Sequence, residues 1–197
     1  MQFDHELVEM SRFRRNEYLY AIIKGLAFLG FFAVVHQIYK WTPEPFQPIA
    51  ALISEVNESI LQHFKMGFVI WIMLLILELI IFRNRITDKN TFIFSRLATT
   101  FILAWITFTI WMILPGISQN FEPTIEIELL WSFIATFVAG VIGSVFDTIF
   151  LRVKFNKETK IIILLLVVIS YFHFMLYSFF PDLPPDWLFF KGPDEMH

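Results

Sequence analysis

The stretch FKMGFVIWIMLLILELIIFRNR, residues 64–85, decides the fold. From Phe64 to Phe82 it is apolar except for Lys65 at its start and Glu78 near its end, and Arg83 and Arg85 follow at once. About twenty residues at 1.5 Å each cross a hydrocarbon layer about 30 Å thick. In lipid a lone apolar segment satisfies its backbone only as a helix. Residues 64–82 therefore read as a transmembrane helix. A charge at the bilayer centre costs about 2.5–3.5 kcal/mol on insertion scales, so some other group must compensate Glu78.

The same pattern recurs on either side. Apolar runs at 18–41, 94–114, 129–151 and 161–180 join 64–82 to give an all-α polytopic membrane protein, a bundle of five transmembrane helices. Composition agrees, with 57% hydrophobic and 17% charged residues and a mean hydropathy of +0.64, against roughly 45–50% and about 25% in soluble domains. Arg12, Arg14, Arg15, Arg83, Arg85, Lys89, Arg96, Arg152, Lys154, Lys157 and Lys160 all fall at one end of the bundle. The positive-inside rule then makes the N-terminus cytoplasmic and the C-terminus outside. A bacterial cytoplasmic (inner) membrane is the expected location, with an organellar inner membrane as the alternative.

Three segments lie between or beyond the spans. Residues 1–17 read as a cytoplasmic amphipathic segment in which Phe3, Leu7 and Met10 precede RFRR (12–15). Residues 42–63 read as an outer loop with an interfacial helix, because Ile49, Leu52, Ile53, Val56, Ile60 and Phe64 recur at helical spacing while Glu55, Asn57 and Glu58 lie elsewhere. Residues 181–197, PDLPPDWLFFKGPDEMH, form an outer tail whose prolines forbid a regular helix and whose aromatics suit a headgroup layer or a partner.

Depth organises the buried charges. Glu78 is five residues from Arg83, Asp147 is five from Arg152, and Lys24 is a similar distance beyond Asn16 and Glu17. All three sit about 7–10 Å inside the same boundary. Ser132, Thr136, Ala139, Gly140, Gly143, Ser144 and Asp147 form a small or polar stripe of the kind that packs closely against other helices. Arg96, Thr100, Leu103 and Thr107 make a looser counterpart on the third span, and Glu78 shares its face with Trp71, Leu74 and Leu75. Lys24 is expected to compensate Glu78 with Asp147 nearby. One ammonium cannot neutralise two carboxylates, so unless an arginine reaches in, Lys24, Glu78 and Asp147 become a candidate ion- or proton-binding layer.

His36 and His173 lie near the outer ends of the first and fifth spans and are candidate ligands for a haem iron or hydrogen-bond partners for a quinone. No metal-ligand motif is evident, and with no cysteine there is no disulfide or thiolate site. No phosphate loop, dinucleotide fingerprint or nucleophile elbow is present, and no basic aromatic groove suggests nucleic acid. The region WSFIATFVAGVIGSVFDTIFLRVKFNKETKIIILLLVVISYF (131–172) resembles helix pairs that precede nucleotide cyclase domains in some bacterial sensors, and no residue role follows from it.

The chain therefore reads as a non-enzymatic integral subunit or partner protein of a larger membrane assembly. Its expected neighbours are the lipid bilayer and other membrane subunits or further copies of itself. The alternatives are a proton or cation transporter built on Lys24, Glu78 and Asp147, and a haem- or quinone-binding anchor built on His36 and His173.

Overall fold

Each long apolar run forms a helix in the computed structural model, which describes residues 2–56, 60–117 and 124–179. The elements are α1 (Gln2–Trp41), a 3-10 turn at Glu44–Phe46, α2 (Gln47–Ala50), α3 (Ile60–Ile81), α4 (Lys89–Trp111), α5 (Ile113–Ile117), α6 (Ile125–Phe150) and α7 (Lys157–Phe179). Five segments are long and apolar enough to cross a membrane, namely Asn16–Trp41, Leu61–Ile81, Lys89–Trp111, Ile125–Phe150 and Lys157–Leu176. The protein is an all-helical chain of multi-pass character, and no strand occurs among the described residues.

The N-terminal ends of the long helices reach beyond the apolar runs, where polar or mixed residues continue the helix, while the C-terminal ends coincide with the runs or stop up to three residues short of them. α4 begins at Lys89 rather than 94, where Asp88 caps it by accepting from Thr91 N at 3.1 Å and Thr91 Oγ1 at 2.7 Å. Those two bonds hold the exposed Asp88 carboxyl below its ordinary value. α1 runs unbroken from Gln2, so residues 2–17 continue the first span instead of forming a separate element. The 181–197 tail lies outside the described residues.

The 42–63 connection departs most from expectation. Of residues 42–56 Gln47–Ala50 is α-helical, residues 51–56 turn back toward α1, and α3 already begins at Ile60. Ser54 is fully buried, its hydroxyl donating to Val35 O at 2.6 Å and accepting from Tyr39 N at 3.2 Å. A serine hydroxyl of this kind offers the backbone an alternative to continuing a helix. Glu55, expected on a solvated face, is buried as a result.

α1, α3, α4 and α6 close a four-helix ring in which α1 packs on α6 and α3, and α4 packs on α6 and α3; α7 lies outside it against α3 and α4. Successive helices run in opposite directions, so the basic connections gather at one end, the basic end. Phe28, Phe32, Met66, Ile70, Trp71 and Leu103 fill the centre of the ring. A second cluster of Leu61, Phe64, Phe68, Ala104 and Phe174 seats α7.

In lipid, helix association relies on close van der Waals packing, and small residues permit it. The predicted stripe of α6 provides that surface, with Ala135, Thr136, Ala139, Gly140, Gly143, Ser144 and Asp147 buried. A Cβ on Gly140 would lie 3.0 Å from Gly25 Cα, and one on Gly143 would lie 2.8 Å from Leu103 Cδ1 and 2.9 Å from Trp71. Gly25 in turn admits Val141 and the Phe137 carbonyl from the α6 side.

Candidate functional site

Two polar clusters are set into this ring, one toward each end. The first lies toward the basic end and joins four helices. Lys24 Nζ on α1 is 2.5 Å from Glu78 Oε1 on α3 and 2.6 Å from Asp147 Oδ2 on α6. Arg96 Nε on α4 is 3.1 Å from Glu78 Oε2 and 3.9 Å from Asp147 Oδ2. Tyr20 on α1 donates its hydroxyl to Glu78 Oε1 and receives Arg96 Nη2 at 3.5 Å. Asp147 is fully buried, and Lys24, Glu78 and Arg96 are nearly so.

Lys24, Glu78 and Asp147 thus meet as their common depth implied. Arg96 also reaches in, the arginine whose approach the charge count leaves open. With it the layer holds two cations and two carboxylates among the described residues, so their formal charges balance. Ring faces support both cations, Lys24 Nζ lying 4.5 Å from the Trp71 centroid and the Arg96 guanidinium carbon 3.7 Å from that of Phe92. Asp147 Oδ1 has no hydrogen-bond partner among the described residues. The layer is charge-balanced without being hydrogen-bond-saturated, so Asp147 depends on its two cations.

The second cluster lies toward the opposite end, where the 42–56 connection folds back. Glu55 is 1% exposed, with His36 Nε2 of α1 at 3.0 Å from Oε1, His63 Nε2 of α3 at 3.6 Å from Oε2, and Lys40 Nζ at 3.7 Å from Oε1. The His63 ring is stacked with Trp111 at 5.4 Å and with Phe32 at 6.1 Å, and lies 5.6 Å from the His36 ring. Beneath it, the fully buried Lys65 donates to Ala51 O and to Ser178 Oγ, each at 2.7 Å. The two bonds let Lys65 of α3 bridge the connection and α7.

His36 is therefore grouped with Glu55 and His63, and His173 is not part of that group. α1 packs on α3 and α6, whereas α7 packs on α3 and α4, and His173 sits on the exposed side of α7 with Phe174 beside it. The two histidines thus lie on helices whose principal packing partners differ. Sequence reasoning missed Glu55, His63 and Lys65 as members of a site. The one usable signal was Lys65 inside a predicted span, a cation that needs acceptors.

Ser54 holds the connection that delivers Glu55. Ser54→Ala removes two buried hydrogen bonds and is expected to cost about 1–3 kcal/mol. Thermal unfolding in detergent together with limited proteolysis checks this: the melting temperature falls and cleavage within residues 42–56 accelerates.

Comparison with family models, curated proteins and solved structures yields no match.

Proposed function

We propose that the protein is a non-enzymatic scaffold, a small integral subunit or partner protein of a larger membrane assembly. The closed charge layer carries this reading, because its four charged groups answer one another across α1, α3, α4 and α6. Toward the middle of the ring, Phe28, Trp71, Leu74 and Leu103 pack together. Interior charges committed to one another fix helix register, and the apolar cluster beyond them packs the same helices together. What remains available for action is the surface, and in a bilayer a helical surface recognises lipid or other membrane helices.

The alternative of a proton or cation conduit draws on the same residues in a different role, and one experiment separates the two. Gentle detergent extraction from the native membrane, followed by native mass spectrometry, is expected to return this chain in a defined stoichiometry with another membrane protein. Purified protein in liposomes is expected to pass protons and potassium no faster than empty vesicles. Flux that disappears in Asp147→Asn would overturn the scaffold reading in favour of the conduit.

A further inference from the structure

We propose that His36, Glu55 and His63 form a binding site for one divalent transition ion of the Zn²⁺ type, with water in the remaining position. One ligand atom from each residue lies within 4.8 Å of the other two. Tetrahedral zinc with bonds of about 2.0–2.1 Å places its ligand atoms about 3.3 Å apart. His36 Nε2 is 3.0 Å from Glu55 Oε1 and His63 Nε2 is 3.6 Å from Glu55 Oε2, so each imidazole faces its own carboxylate oxygen at close to that spacing, and a small turn of the carboxylate brings one oxygen between them. Two imidazoles and one carboxylate are the mixed donor set that zinc accepts when one position stays open. Hard cations such as Ca²⁺ prefer all-oxygen sites.

The surroundings favour binding in three ways. The carboxylate is buried while the His36 and His63 side chains remain 23% and 18% exposed, so an ion has a path in and a charge to meet. Stacking between Phe32 and Trp111 fixes the His63 ring, and Ser54 fixes the backbone next to Glu55. The Gln37 side-chain amide is 3.1 Å from His36 Nδ1. The facing atom is the amide nitrogen, and a half-turn of that amide brings its oxygen round to accept the Nδ1 proton and leave His36 Nε2 to ligate, the usual outer partner of a metal-bound histidine. Lys40, whose side chain is half exposed, swings away from Glu55 as the ion replaces its ammonium. The bound ion then fastens α1, the 42–56 connection and α3 together.

The test uses full-length protein carrying a purification tag without histidine, stripped with chelator and titrated with ZnCl₂ against a chromophoric competitor. One tight equivalent is expected in the wild type, weakened about 100-fold or more in Glu55→Gln and in His63→Phe, which keeps the ring stack. Excess CaCl₂ or MgCl₂ is expected not to displace it. Wild-type protein loaded with CoCl₂ is expected to show the intense visible bands of four-coordinate cobalt, a readout that needs no variant to fold. The site is refuted by equal affinity in wild type and either variant, by displacement with calcium, or by a cobalt spectrum no stronger than that of the aqueous ion. Such a result would leave Glu55, His36, His63 and Lys40 as an ion-pair cluster only.

Discussion

Lys24→Met is expected to cost about 3–5 kcal/mol of stability, because removing one partner of a buried ion pair leaves the other charge uncompensated. Lys24 is the shared partner of both carboxylates, at 2.5 Å from Glu78 and 2.6 Å from Asp147. Without it a single guanidinium faces two buried carboxylates, and Asp147 keeps only the 3.9 Å approach of Arg96. Methionine has nearly the same length and stays in contact with Trp71, so the loss reports charge rather than volume. Arg96→Met is expected to be costly for the same reason, and less so because its pairing distances are longer. Thermal unfolding of each variant in one detergent gives the order: Lys24→Met least stable, Arg96→Met between, wild type highest.

Gly140→Val is the other substitution expected to have a large effect. The first added carbon already falls 3.0 Å from Gly25 Cα and from Phe28 Cβ. One of those atoms is backbone and the other is the root of a buried ring, so neither yields without moving α1. Overpacking of this kind costs about 1–3 kcal/mol and occasionally more. Here the upper end is expected, because Gly140 lies on the α6 stripe that also carries Asp147, and pushing the helices apart lengthens the Lys24 contact as well. Gly30→Val is the control. A Cβ there meets nothing within 4 Å, and its melting temperature is expected to stay near the wild-type value.

Much of the inner cluster is legible in the sequence. Counting residues from the basic boundary places Lys24, Glu78 and Asp147 at one depth, and the Ser132-to-Asp147 stripe points Asp147 inward. Arg96 is harder, because a basic residue near the start of a span serves equally well as a topology signal or an interior cation. Only the buried face it shares with Thr100, Leu103 and Thr107 separates the two, and that face is indeed buried.

The opposite cluster resists sequence reading for a tertiary reason. Helical spacing in residues 49–64 predicts one apolar face with Glu55 away from it. The chain instead reverses after Ala50, since the Ser54 hydroxyl binds backbone groups of α1 that are distant in sequence. Periodicity cannot report that competition. His36 and His63 then come together through α1 and α3 packing, so no short spacing marks them as a pair of ligands.

The most direct measurement is the stability of Lys24→Met and Asp147→Leu, singly and combined, by thermal unfolding in the same detergent. If the four charges form one closed network, each single change strands a charge, while the double change leaves Arg96 paired with Glu78 at 3.1 Å. The expected result is a double variant more stable than either single one and within about 2 kcal/mol of wild type. Losses that simply add would contradict the network.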